Sequence, residues 1–155
     1  MTSLPPFQAV LDEHREDVYG FLVALAGRQE ADDCFQEALM SAIRAYPKLD
    51  PAANVRAWLF TIARRKAVDA HRARGRRAVP VESVPERAAE SNGAGTDPEL
   101  WALVRELPPK QRAAVALRFV ADLSHAEVGV ALDCSEEAAR RSLHEGIKRL
   151  RKELA

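Results

Sequence analysis

Apolar residues recur every three or four positions along most of this chain, and that spacing predicts helices nearly throughout. Pro5 and Pro6 suit a helix start. Phe7, Val10, Leu11, His14, Val18, Phe21, Leu22 and Leu25 then mark one stripe of a first helix ending near Gly27. A second helix runs from about Glu30 to Tyr46, with Ala31, Cys34, Phe35, Ala38, Leu39, Ala42 and Ile43 facing inward. Its opposite face shows Asp33, Gln36, Glu37, Met40 and Arg44, and Pro47 stops it. After the loop PKLDPAANV, a third helix extends from about Asn54 to Arg74, with Val55, Trp58, Leu59, Ile62, Ala63 and Val68 on its core face. Three such helices can close a small core around Trp58, Phe21 and Phe35, so residues 4–74 read as a first domain.

Residues 75–96, GRRAVPVESVPERAAESNGAGT, have no apolar period and are rich in proline, glycine and acids, the composition of a flexible linker. Residues 97–155 read as a second domain of four helices. Asp97 is an N-cap with Pro98 at the first helical position, followed by Leu100, Leu103, Val104 and Leu107. Pro108 and Pro109 interrupt before the helix KQRAAVALRFVAD. Ser124 and Glu127 then match a capping box that opens a short helix to about Ala131.

Leu132–Asp133–Cys134 breaks that helix, and Ser135 caps a long one ahead of Glu136 and Glu137, acids suited to a helix start. Ala139, Leu143, Ile147 and Leu150 form its apolar face, and Arg140, Arg141, His144, Lys148 and Arg151 lie beside or opposite. Short helix, tight turn and long basic helix make the pattern of a helix-turn-helix that places its second helix in a DNA major groove. Taken alone, the stretch also fits an amphipathic hairpin with a solvated basic face.

Composition narrows the class. A chain of 155 residues, 47% hydrophobic with only 7 glycines, fits one or two small helical domains. It contains no run of about 18 apolar residues, and its first residues lack the basic start and apolar core of a signal peptide, so a cytoplasmic protein without membrane insertion is expected. Cys34 and Cys134 lie a hundred positions apart and read as two buried thiols, with neither a disulfide framework nor a metal site. The four histidines (His14, His71, His125, His144) are scattered, and no nucleophilic triad or glycine-rich phosphate loop appears. Neither catalysis nor a cofactor is expected.

The formal net charge is zero, yet charge is segregated. Between Arg56 and Arg77 eight Lys/Arg stand against Asp69 alone, and from Arg140 onward six stand against Glu145 and Glu153. The first fifty residues are acidic by nine to four. Two basic blocks make two candidate contacts with a polyanion, each able to displace counterions from phosphates. The acidic front needs a different partner or a solvating role.

Four segments occur in order: ADDCFQEALMSAIRAYPKLDP, VRAWLFTIARRKAVDAHRAR, VRELPPKQRAAVALRFVADLSHAEVGVAL and SLHEGIKRLRKEL. Together they resemble the extracytoplasmic-function (ECF) sigma factors, the small bacterial class that keeps only conserved regions two and four. The resemblance implies an all-α fold and a non-enzymatic subunit that binds core RNA polymerase, recognises a two-part promoter and assists strand opening. Asp33, Gln36, Glu37, Met40 and Arg44 would meet the β′ clamp helices, because an acidic, partly apolar face suits protein better than phosphate. Lys48, Asp50 and Asn54 would line a pocket for an unstacked −10 base, and Arg56, Arg64, Arg65, Lys66 and Arg72 would supply cations along that strand. Trp58 matches the family's tryptophan, although its helical spacing favours core packing.

In region four the resemblance places Glu136, Glu137, Ala139, Arg140, Arg141, His144 and Lys148 toward the −35 element. Glutamate there can accept from cytosine, and arginine can grip guanine through two hydrogen bonds. Ser124 and His125 would hold a phosphate through free helix-start N–H groups. The same domain would contact the β flap, the linker acids Glu82, Glu86 and Glu90 would mimic nucleic acid near the RNA exit path, and an anti-sigma factor is an expected partner. The protein would be cytoplasmic, and nucleoid-associated when active.

The chain departs from the family pattern at Arg65, where asparagine is usual, at Ala138, where threonine is common, and at Ser142, where arginine is common. Glu145 and Gly146 interrupt a run that is usually arginine-rich, and glycine inside a helix costs about 1 kcal/mol relative to alanine. A −35 contact that is weaker or of unusual specificity follows, or a final helix whose C-terminal half mainly meets protein. Two rival readings are a free-standing helix-turn-helix regulator, which needs no polymerase-facing surface, and a sigma-like decoy that titrates an anti-sigma factor.

Overall fold

Local chemistry at the helix ends sets the element boundaries. The computed structural model describes residues 4–77 and 97–154, and among them every regular element is helical. In the first lobe α1 spans Phe7–Ala26, α2 spans Arg28–Ala45 and α3 spans Val55–Arg77. The second lobe contains α4 (Pro98–Arg105), α5 (Pro109–Phe119), α6 (His125–Leu132) and α7 (Glu136–Leu154). Gly27 ends α1 and begins α2 with no spare residue, at a φ of 85° that glycine adopts without strain. Asp97 accepts the Glu99 and Leu100 N–H groups at the start of α4. Ser124 and Glu127 close the expected capping box, and the Ser135 hydroxyl accepts the Ala138 N–H ahead of α7. The expected linker falls almost wholly outside the described residues.

The first lobe is centred on Phe21 and Phe60, whose rings meet edge to face at 5.5 Å with both side chains fully buried. This revises the expected core. Trp58 and Phe35 are only half-buried, because Trp58 joins a peripheral aromatic group with Tyr46 at 5.9 Å and Phe35 packs on Tyr19. Tyr46 also meets Phe7 at 5.2 Å and donates its hydroxyl to the Pro5 carbonyl, tying the start of α1 to the loop before α3.

Small residues let α2 lie close to its neighbours: Ala31, Cys34, Ala38 and Ala42 are its buried residues. Ile43, expected inward, is 56% exposed, since the narrow stripe of small side chains leaves it on the flank. Nor does Gly75 end α3, which continues to Arg77. Cys34 is buried as expected, but Cys134 is only half-buried, at the turn between α6 and α7.

The second lobe wraps α4, α5 and α6 around the inner face of α7, where Ala139, Leu143 and Leu150 are buried. Trp101, Val104, Leu117, Leu123 and Val128 complete this core. Asp133 takes the left-handed conformation at φ 60°, and the Cys134 N–H returns to the Gly129 carbonyl at 2.9 Å. A Cβ on Gly129 would stand 3.0 Å from the Cys134 carbonyl oxygen and 3.2 Å from the Glu136 nitrogen, so the tight turn needs glycine for closeness.

The two lobes pack against each other. Helix α3 is packed by α1 and α2 on one side and by α6 on the other. Its middle is therefore buried nearly all round, from Ala57 through Leu59, Phe60, Thr61, Ile62 and Ala63.

Candidate polymerase and nucleic-acid interfaces

Helix α2 presents Asp33, Gln36, Glu37, Met40 and Arg44 at spacings of three and four, and all five are exposed. Met40 and Ile43 stand 57% and 56% exposed beside one another, an apolar end to a strip whose other end is acidic. Arg44 folds its Nε–H back to the Met40 carbonyl at 3.3 Å. Cys34 sits directly beneath this strip. Burial, reinforced by Glu30, Glu37 and Asp33, pushes its thiol up to about 11, which makes it a packing residue and not a nucleophile.

The loop before α3 is shaped by two of its expected pocket residues. Asp50 accepts the Ala52 N–H at 2.9 Å in an Asx turn, and Asn54 accepts the Ala57 N–H at 2.9 Å as the cap of α3. Lys48 projects from a single 3-10 turn into solvent.

The cations expected along the −10 strand divide into two groups. Arg65 and Arg72 are exposed and Lys66 is half-buried. Arg56 and Arg64 turn toward the second lobe, as does the Asn54 amide. Arg56 donates through Nη2 to the Ala121 carbonyl at 2.5 Å and the Asp122 carbonyl at 3.0 Å, and its Nη1 lies 3.9 Å from Glu127. Asn54 donates to the same carboxylate at 3.0 Å. Arg64 donates its Nε–H to the Ala131 carbonyl at 2.8 Å, and Thr61 reaches the Val130 carbonyl at 3.5 Å. Burial, then neighbouring Arg65, lowers the Arg64 pKa without threatening its charge.

Glu127 is the hub of this seam. Burial alone would raise its carboxyl, but the Ser124 backbone N–H, the Asn54 amide, Arg56 and the Ser124 hydroxyl together hold it below the ordinary value. Sequence reading missed the role, because Glu127 is fully explained there by its cap.

On the second lobe, Glu136, Glu137, Arg140, Arg141, His144 and Lys148 are all exposed on α7, while Ala139 is buried. Arg140 is held by Glu136 through contacts of 2.8 and 3.2 Å, whereas Arg141 makes no ion pair among the described residues. The expected phosphate seat at α6 is partly filled by its own cap: the Ser124 N–H donates to Glu127 and the Glu127 N–H to Ser124. His125 beside it is half-buried. Two departures in α7 find a structural use. Glu145 accepts from Gln111 of α5 at 3.5 Å, and a Cβ on Gly146 would stand 3.1 Å from Val115.

Comparison with known proteins agrees with this two-lobe layout. Residues 10–77 match the model of sigma-70 region 2, and residues 98–150 match that of sigma-70 region 4. ECF RNA polymerase sigma factor SigD of Mycobacterium tuberculosis is 35% identical, over 94% of this chain and 75% of its own length. RNA polymerase sigma factor CarQ of Myxococcus xanthus is 30% identical, over 94% of this chain and 87% of its own. Among solved structures, the sigma factor RpoE of Bartonella quintana, in complex with the anti-sigma factor NepR, superposes with a TM-score of 0.80. It covers 96% of both chains at 24% identity, a likeness of fold. CnrH, solved with the cytosolic domain of CnrY, gives a TM-score of 0.71 over 96% of this chain and 86% of its own, at 19% identity.

Proposed function

The chain belongs to the ECF family of RNA polymerase sigma factors and, as an alternative sigma factor, binds core RNA polymerase for promoter recognition; from that premise we propose how its surfaces divide the work. The lobe of residues 4–77 joins the polymerase and handles the −10 element, and the lobe of residues 97–155 reads the −35 element. The exposed strip Asp33, Gln36, Glu37, Met40 and Arg44, extended by Ile43, docks on the β′ clamp helices. Carboxylates there repel phosphate and favour a protein partner, and the flanking apolar side chains supply burial.

In the −10 step, Lys48, Arg65, Lys66 and Arg72 meet the strand first, since their side chains already face solvent or its edge. Asp50 and Asn54 fix the loop that would hold an unstacked base. Asn54, Arg56 and Arg64 reach DNA only when α6 leaves α3, so promoter engagement requires the lobes to part. On the second lobe, Arg141, Arg140, His144 and Lys148 face base edges and backbone, with Glu136 and Glu137 as acceptors. Ser124 and His125 lie at the edge of that surface, and the lobe also meets the β flap. The subunit is non-catalytic and acts in the cytoplasm at the nucleoid, with an anti-sigma factor as its expected antagonist.

One observation carries this reading: α2 buries only alanines and a cysteine, and keeps the whole acidic and apolar strip outward. Co-purification with core polymerase tests it. Asp33→Arg combined with Glu37→Arg should abolish core binding while helicity is retained. Unchanged binding would remove α2 from the interface.

A further inference from the structure

Where the lobes meet, they enclose a groove used by neither α2's outer face nor α7. Its cavity of about 330 Å³ opens between the C-terminal half of α3, the α1–α2 corner and the α4–α5 corner. Five arginines line it: Arg64, Arg72 and Arg74 from the first lobe, Arg105 and Arg112 from the second. Glu30 is the single carboxylate among the lining residues, and Arg74 already holds it at 3.4 Å. Arg72 and Arg105 have no ion-pair partner among the described residues.

Arg112 is the clearest anomaly. Its Nη2 donates to the Leu107 carbonyl at 3.1 Å, but its Nε is enclosed with no hydrogen-bond partner. Burial, then the Arg105 charge beside it, lowers its pKa. Two neighbouring arginine charges, one of them partly buried, in the lining of one groove are an arrangement that an anion relieves.

The shape and floor narrow the anion. Guanidinium forks match phosphate oxygens in pairs. Leu25, Val68, Pro109 and Ala113 give the groove an apolar floor that a bare phosphate would leave unused and a flat ring would cover. The volume lies within the usual small-ligand range, roughly 300–1,000 Å³.

We propose that the inter-lobe groove is a binding site for a small phosphate-bearing ligand with a flat apolar group, of the nucleoside diphosphate class, gripped by Arg72 from one lobe and by Arg105 and Arg112 from the other. Such a ligand binds the closed arrangement and not the parted one, so it shifts the population toward closure.

The test is calorimetric titration of the full chain with ADP, with inorganic pyrophosphate and with a tetraglutamate peptide. ADP should bind once per chain and more tightly than pyrophosphate, and tetraglutamate should bind least. Arg105→Glu should weaken ADP by about tenfold or more, the loss of one charge-assisted contact. Glu30→Gln should tighten it by removing the competing carboxylate, a gain that misfolding cannot produce. Arg151→Glu, on α7 and outside the groove, should leave ADP affinity unchanged. No ADP binding at millimolar concentration would overturn the site, as would equal losses at Arg105→Glu and Arg151→Glu, which would show adventitious binding to a basic surface. Pyrophosphate or tetraglutamate binding as tightly as ADP would overturn the ligand class.

Discussion

Arg64 of α3 donates its Nε–H to the carbonyl oxygen of Ala131, 2.8 Å away in the last turn of α6. A cation at a helix C-terminus meets carbonyls that lack partners within the helix, and the helix dipole adds to the attraction. The same side chain is one of the cations expected along the −10 strand, and it cannot serve both partners at once. Arg56 likewise bonds across the seam, to the carbonyls of Ala121 and Asp122 in the loop between α5 and α6.

Arg64→Ala therefore has a definite expected cost. It removes a half-buried charge-assisted hydrogen bond and leaves the Ala131 carbonyl without that donor, a loss of roughly 1.5–2 kcal/mol. For a chain of this size the Tm should fall by about 3–8 °C, and small-angle scattering should show a larger radius as the lobes part. An unchanged Tm and radius would show that the contact contributes nothing to closure.

The seam also carries a pH dependence. The folded-state pKa of Glu127 lies below the ordinary value, so its ionised form stabilises the closed protein above the unfolded-chain pKa of about 4.3. That contribution is lost as pH falls through the folded value. Glu127→Gln should lower Tm at neutral pH, and the deficit should shrink toward zero on acidification below about pH 4. Thermal melts of both proteins across pH check this; a deficit that does not vary with pH would contradict it.

Two helical glycines should differ in how well they tolerate a methyl group. At Gly129 an added methyl meets backbone atoms at 3.0–3.3 Å that cannot yield without opening the turn. At Gly146 its nearest neighbour is the Val115 side chain at 3.1 Å, and alanine restores helix propensity. Gly129→Ala should destabilise by about 1–3 kcal/mol, whereas Gly146→Ala should stay within about 1 kcal/mol of the parent. Denaturant melts separate the two, and equal effects would refute the packing account.

On α7, the Arg140–Glu136 pair makes Arg141 the more available reader. Arg140→Ala with Arg141→Ala should weaken duplex −35 binding by one to three kcal/mol, about 5- to 150-fold, with core affinity near normal. Glu136→Gln, which releases Arg140, should leave phosphate contacts intact and relax base preference. Fluorescence anisotropy on duplexes and core co-purification distinguish these outcomes. Loss of core affinity in the double arginine variant would mean that α7 faces the polymerase.

Much of the fold was legible because its signals are local. Asp97, Ser124 and Ser135 cap the backbone within three residues of themselves, so sequence spacing alone locates three helix starts. The exposed α2 strip was readable for the same reason. What escaped depends on packing between distant segments. Phe60 lies off the core face that the spacing marks on α3, yet it is fully buried against Phe21 of α1, while Thr61 and Arg64 of the same helix meet α6. The flexible composition that begins at residue 75 does not end α3, which runs to Arg77. Arg56 and Arg64 bond to backbone carbonyls more than sixty residues away, and no residue type signals such an acceptor. The opposed arginines of the groove were likewise invisible, since Arg72 and Arg105 lie on separate lobes.

This chain gives core polymerase its promoter choice, and run-off transcription with purified components decides the point. Purified core polymerase would be supplied with duplex templates drawn from the DNA upstream of the protein's own coding region, with and without the chain. We predict a defined transcript that requires the chain, vanishes with Asp33→Arg plus Glu37→Arg, and weakens with Arg140→Ala plus Arg141→Ala. Core enzyme that binds the chain yet starts no transcript from any such template would contradict the account, as would a transcript made equally well without the chain.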